Sequence, residues 1–540
     1  MSGIMNPFEQ LFTSILFLLI PLGVSFWKIT GTLDQFTEFR WLLLYGICTL
    51  LVAGSFFPGF EIRVPSLRKN RLFYFLVSGL AFFCGFATFR NFPGQIELQM
   101  LDWSCFFVLF VWSYTLSIQE DSRALFLRSI RFANRIGLLG VGLYLIAQKT
   151  GYSWSYLASY SGHFGSLFGH KNFAASFFGI ALLIEMSGFN RDESNSRKVW
   201  SAFLILLGLY GFYCTKARGA SLGFAVGLLV FGFRRVKLQS RMKWIIVSAL
   251  IVMSCYAAAV VSYRGLEDGT NTRDLRIARW LNTAAMIVDH PLGIGPGHYE
   301  FDYLFYTKRV RADVEIDGRF ISRTPHNQPL QIGVDYGIPA LLFWILLTGF
   351  IVLRAFRSKS DEGAILVCIL VDGMFAFPLH VTHSFVAYAV FSGILLGRNL
   401  SSRPVSGGLI LPVAKGLSVV GMSWVTYAIF SAVMAESYDI NHYESMKVSC
   451  DRAPWRFNNC IFLAKIEGNL GKFQDGIQTC KKVLERQPNG FPAYLTLSEL
   501  YRLSGDQRAR CDAIAKYDSI LGGNTKLYQS VQNQCFSGMK

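Results

Sequence analysis

RTPHNQPLQIGVDYGIPALLFWILLTGFIVL, residues 323–353, passes from a polar turn into an apolar stretch of the roughly 20 residues that a helix needs to cross a bilayer. A histidine preceded by proline (His326), two amides (Asn327 and Gln328) and a carboxylate (Asp335) stand just ahead of that stretch. A simple helix cap accounts for such residues, and so does the edge of an active site. Polar and ionisable groups beside hydrocarbon are costly, so the second reading leads.

The rest of the chain fits a membrane setting. Its 540 residues are 52% hydrophobic and only 16% charged, with a mean hydropathy of +0.36. This composition excludes an ordinary soluble domain. Apolar runs begin near Leu11, Trp41, Leu72, Asp102, Ile136, Phe173, Val199, Ala220, Trp244, Ile338, Gly363, Val381 and Leu409. They predict an all-α polytopic bundle of about thirteen spans. The first run has no basic segment before it and no small-residue cleavage site after it, so it reads as an uncleaved span.

A net charge of +17 could signal nucleic acid, but its placement says otherwise. Arg63, Arg68, Lys69, Arg71, Arg123, Arg128, Arg131, Arg135, Arg191, Arg197, Lys198 and the run RRVKLQSRMK (234–243) fall in alternate connectors, as expected of cytoplasmic loops. Counting through the spans puts the N-terminus in the cytoplasm and a large loop, 263–336, on the outer face. The tail lies on that outer face too. A membrane domain over 1–434 and a helical tail over 435–540 follow from the change in composition.

The tail has a repeat. Leu463 and Leu497 are 34 residues apart, as are Gly471 and Gly505, which is the tetratricopeptide period. Eleven cysteines occur, five of them in the tail, and no C-x-x-C spacing is present. No zinc site is expected, and the odd number in the tail leaves a thiol unpaired within the chain.

Four groups on the outer side carry candidate chemistry. Lys216 and Arg218 sit in a tight turn between two spans, where two cations can also simply snorkel to the interface. Arg276 and Arg279 lie on a helical segment followed by DHPLGIGPGHY (289–299). Guanidinium groups offer a fork of donors suited to phosphate oxygens. His326 and Asn327 follow, histidine being the side chain best placed to take a proton near neutral pH. The fourth group is GHFGSLFGHKNFAASFF (162–178), with His163, His170, Lys171 and Asn172. It reads as a turn lining the substrate, or as a structural glycine loop; the two histidines lack the partners of a metal site. Glu185, Asp372, His380 and His383 lie in or near apolar runs and form a candidate proton relay.

Taken in order, FGHKNFAASFF, TKARGASLGF, RIARW with DHPLGIGPGHY, and PHNQPLQIGVDYGIPALL resemble the motifs of the O-antigen ligase and polymerase superfamily of bacterial envelope glycosyltransferases. The resemblance spans residues 160–350. Ala217 replaces a usual serine and Asp335 a common glutamate. The likeness implies that Arg218 and Arg276 hold the diphosphate of an undecaprenyl-linked glycan and that His326 is the general base. Lys216, Arg279, Asn172, Lys171, His170 and Asn327 would bind substrate. It implies inverting transfer at the periplasmic face of the inner membrane, with no metal, cofactor or nucleic acid.

The acceptor expected first is lipid A core, in lipopolysaccharide synthesis. A second glycan (a polymerase) or a protein hydroxyl (an O-oligosaccharyltransferase) are the alternatives. A transporter or a noncatalytic scaffold is the reading from a different class. A transporter should show repeated halves with charge at the midplane.

Overall fold

In hydrocarbon a backbone must satisfy its own hydrogen bonds, so long apolar runs become helices. The computed structural model describes residues 38–56, 62–90, 96–152, 164–189, 194–233, 272–307, 309–310, 324–358, 360–405, 410–438, 442–521, 528–530 and 535. In chain order the helices are α1 (Glu38–Gly54), α2 (Arg71–Arg90), α3 (Ile96–Ser117), α4 (Glu120–Lys149), α5 (Lys171–Phe189), α6 (Asn195–Thr215) and α7 (Arg218–Phe233). Then follow α8 (Thr272–Asp289), α9 (Gln328–Ser358), α10 (Glu362–Gly373), α11 (Thr382–Asn399) and α12 (Ile410–Tyr438). The tail holds α13 (Tyr443–Arg452), α14 (Phe457–Asn469), α15 (Phe473–Arg486), α16 (Phe491–Ser504) and α17 (Gln507–Ile520).

Seven described helices are long and apolar enough to cross a membrane: α2 to α6, α9 and α12. This corrects the expectation of thirteen, for distinct physical reasons. The runs from Leu11 and Trp244, like the basic stretch 234–243, lie outside the described residues. Those from Trp41 and Ala220 form shorter apolar helices. The run from Gly363 ends at Gly373, ahead of a turn that leads to Pro378. The run from Val381 becomes α11, whose 18 residues include Thr382, His383, Ser384 and Arg398 and are buried along most of their length.

Small residues let helices approach closely where dispersion and backbone contacts must replace the hydrophobic effect. A Cβ on Gly223 would sit 2.6 Å from the Cys368 carbonyl oxygen, and one on Gly227 2.9 Å from that of Ala364, so α7 lies directly against α10. Gly393 and Gly397 do the same for α11 against Phe110 and Tyr114 of α3.

The two ends of the bundle differ in chemistry. At one end, strands β1 (Arg63–Pro65) and β2 (Ser402–Pro404) pair antiparallel and join two basic connectors. The last turns of α5 carry Glu185, fully buried and held by Arg131 at 3.2 Å and Arg135 at 3.0 Å. Both arginines also donate to Ser201. Lys171 begins α5 at the opposite end, about 20 Å away at 1.5 Å per residue.

At that opposite end two glycine motifs interlock. Ile294 N–H donates to the Val334 carbonyl at 2.9 Å, Gly295 N–H to that of Asp335 at 3.0 Å, and Ile338 N–H to that of Pro291 at 2.8 Å. Gly337 breaks α9 with φ 88° and ψ 172°, and a Cβ there would lie 2.5 Å from the Pro291 oxygen. We expect Gly337→Ala to destabilise the protein by ~2 kcal/mol or more, because it combines a left-handed φ with a backbone clash. Thermal unfolding in detergent measures this, and an unchanged Tm would refute it.

Within the tail, two helical hairpins, α14–α15 and α16–α17, pack around Ile477, Leu497 and Leu500. It is docked on the membrane-side domain. Phe301 packs among Phe457, Cys460 and Val483, Gln487 donates to the Gly297 carbonyl at 2.8 Å, and Asn489 donates to Asp302 at 2.8 Å. Both terminal nitrogens of Arg486 reach Glu97, at the start of α3, at 3.1 Å. Disulfides join Cys450 to Cys460 and Cys511 to Cys535, leaving Cys480 as a buried thiol.

Candidate functional site

The turn that carries His326 is pinned from two sides. Trp280 of α8 donates its indole N–H to the Pro325 carbonyl at 2.9 Å. Asn327 donates to the Met374 carbonyl, just past α10, at 2.8 Å, and its side-chain oxygen accepts from Leu330 N–H at 3.0 Å. Asn327 is thus the cap of α9 and a clamp. Held this way, His326 takes φ 54°, a left-handed conformation costly for a residue with a side chain. Such strain persists only where the surroundings over-determine it.

The imidazole packs on Phe377 with ring centroids 5.0 Å apart. Its Nδ1 is buried without a hydrogen-bond partner. Burial, followed by the charges of Arg276, Arg279 and His170, pulls its pKa down from the usual histidine range to about 3. His326 is therefore neutral near pH 7 and able to accept a proton, and its basicity in the empty site is low.

Around it stands a set of cations from separate parts of the chain. Arg276 on α8 reaches the Phe375 carbonyl at 3.5 Å. Its pKa lies below the usual arginine value through burial and then through Arg279 and Arg218, while Asp372 acts in the opposite sense. Arg279, one turn along α8, is buried. Lys171, at the start of α5, feels the charges of both Arg276 and Arg218. His170 accepts a hydrogen bond at Nδ1 from the Asn172 backbone N–H at 3.3 Å. Arg218 opens α7 with an exposed side chain.

Like charges gathered at partly buried positions repel one another, so this arrangement is suited to an anion with several oxygens. Asp372 is the carboxylate at the edge of the set. It accepts a short hydrogen bond from Ser176 and faces Gly219, where a Cβ would lie 3.4 Å from its oxygen.

The remaining sequence candidates are placed differently. Lys216 is exposed at the left-handed cap of α6 (φ 51°) and is not among the charges that act on His326 or Arg276. Asn172 contributes its backbone to His170 and Ser176. His163 lies outside the described residues. The candidate relay is not assembled: Glu185 is locked by arginines at the other end, His383 bonds to Ser384 between Phe168 and Phe177, and only Asp372 joins the cluster. Reasoning from sequence missed Phe375, Phe377 and Ser176. Among the described residues no three His, Cys, Asp or Glu side chains are grouped to hold a metal ion.

No curated protein matches the chain. Residues 202–345, which include Arg218, Arg276, Arg279 and His326, match the family model described as O-antigen ligase, supporting that general family over about a quarter of the chain.

Proposed function

We propose that the protein transfers a preassembled glycan from a polyprenyl diphosphate to an acceptor hydroxyl at the outer face of the membrane, without a metal and with inversion. The single observation that carries this reading is the pinned, neutral His326 beside the Arg276, Arg279 and Arg218 charges. In the reaction, the acceptor oxygen attacks the anomeric carbon from the side opposite the diphosphate. The proton of the hydroxyl passes to His326. The bond between the anomeric carbon and the diphosphate oxygen breaks, its electron pair leaves with the lipid diphosphate, and the arginines stabilise the growing negative charge. His326 then returns its proton to solvent.

The orientation rests on two supports. Both tail disulfides suit an oxidising compartment such as the periplasm, and basic connectors gather at the opposite end of the bundle. A periplasmic tail and external loop, and a cytoplasmic N-terminus, follow from this reading. The 34-residue offset in the tail supports a tetratricopeptide-like hairpin array.

The test is transfer by the purified protein in liposomes, with an undecaprenyl-diphosphate glycan and a chelator present. Formation of a glycosylated acceptor with an inverted linkage is expected. Absence of transfer to lipid A core, to a second glycan and to protein alike would count decisively against the reading.

A further inference from the structure

A cavity of about 1010 Å³ reaches the start of α9, where Gln328 lines it, but none of Lys171, Arg218, Arg276 and Arg279 does. Its charge is of the opposite sign to theirs. Asp102, Glu300 and Asp335 line it together with a single guanidinium, that of Arg456, in a chain whose net charge is +17. Such a lining disfavours a diphosphate and favours a cationic group.

The lining has a polar zone and an apolar one. Gln328, Gln331 and Asp335 recur at the three- and four-residue spacing of one helix face, and each is no more than 6% exposed. Gln331 Nε2 donates to Asp335 Oδ2 at 2.7 Å, while Gln328 Oε1, Gln331 Oε1 and Asp335 Oδ1 are buried without hydrogen-bond partners. Asp102, on α3, accepts from the Tyr45 hydroxyl at 2.7 Å.

The rest of the lining is mostly apolar. Its α3 residues run from Leu98 to Val111, about 20 Å of helix at 1.5 Å per residue. That exceeds the ~15 Å half-thickness of a bilayer's hydrocarbon core, so one leaflet's hydrocarbon chain fits along it. Phe107 lines the cavity and is also 64% exposed, so the cavity reaches the lipid-facing flank of α3.

Buried acceptors without partners call for donors. A primary ammonium supplies three N–H donors and no acceptor, and its bonds to a carboxylate are charge-assisted. We infer that the cavity holds an aminolipid of the bilayer, an ethanolamine phospholipid, with one chain in the apolar zone and its ammonium among Gln328, Gln331 and Asp335. Arg456 answers the phosphate of such a head. The lipid is a resident of the fold and not a substrate, so the inference is independent of glycan transfer.

The test uses the full-length protein in nanodiscs of phosphatidylcholine that contain a trace of an ethanolamine lysophospholipid with a diazirine in its chain. Photolabelling is read in wild type, Asp335→Asn, Gln331→Leu and Arg276→Ala, each first shown to be folded by its thermal melt. Labels should map to α2, α3 and α9. Unlabelled ethanolamine lysophospholipid should compete about tenfold more strongly than the choline form, whose methyl groups replace the N–H donors, or the glycerol form, which lacks the cation. Asp335→Asn and Gln331→Leu should each remove that preference, and Arg276→Ala should leave it intact.

Equal competition by the three heads overturns the inference. So does a preference that survives both cavity variants, one that disappears in Arg276→Ala, or labelling concentrated on α8. If neither cavity variant folds, the comparison of heads and the label map in wild type decide the matter by themselves.

Discussion

Replacement of His326 by alanine lowers kcat for glycan transfer by about a thousandfold, inside the 10²–10⁴ range typical of a positioned general base. The expectation rests on two facts. The imidazole is held in a left-handed turn by Trp280 and Asn327, with its Nδ1 buried and without a hydrogen-bond partner. It is also kept neutral by burial and by the neighbouring Arg276 and Arg279 guanidiniums. His326→Gln, which keeps the size but not the basicity, should be nearly as slow. A folded variant with more than a tenth of wild-type kcat would sink the assignment.

The pH dependence follows in sign. In the free protein the pKa of His326 lies at about 3, below the ~6.5 of an unperturbed histidine. Between those values the unfolded chain binds the proton and the folded one does not. The stability that His326 contributes is therefore complete above pH ~6.5 and is lost as pH falls through that window. The acid limb of kcat/KM, which reports the free enzyme, should not appear near pH 6.5. A bound diphosphate offsets the charges of Arg276 and Arg279, so the acid limb of kcat should lie at higher pH than that of kcat/KM. Coincident limbs near 6.5 in both profiles would mean that neither burial nor the cations act on this group.

How much of this was legible in the sequence depends on the physics of each residue. Charge beside hydrocarbon is costly enough to mark Arg218, Arg276, Lys171 and His326 as candidates wherever they fold, and the structure brings them together with His170 and Arg279. Gly293 and Gly337 were visible as motif glycines, but only their interlocked carbonyls show why a Cβ is excluded. Phe375 and Phe377 were not legible, because two phenylalanines in an apolar run look like any lipid-facing or core pair. Hydropathy also overcounted spans: it cannot see that the run from Gly363 ends as a helix at Gly373.

Replacement of Arg276 by alanine should lower kcat/KM for the lipid-diphosphate donor by about a thousandfold, the loss of one preorganised charge at a developing anion. Arg276 is a half-buried cation among like charges. Arg279 and Arg218 both act against its charge, and Asp372 alone among the influences on it acts in favour. In the empty site that crowding is unfavourable. Removing the guanidinium should therefore leave the Tm of the ligand-free protein equal to or higher than wild type, while donor binding collapses. A purely structural arginine predicts the opposite pairing, a lower Tm with near-normal KM.

Arg276→Lys should restore less than a tenth of the lost kcat/KM, since an ammonium is a point charge and cannot present two parallel donors to phosphate oxygens. Added inorganic pyrophosphate should compete with the donor in wild type and far more weakly in Arg276→Ala. Raising the ionic strength should reduce wild-type kcat/KM more steeply than that of the variant, because fewer charges then remain to be screened. A variant that keeps both the salt dependence and the pyrophosphate inhibition of wild type would place the diphosphate elsewhere on the outer surface and leave His326 without a leaving group to work against.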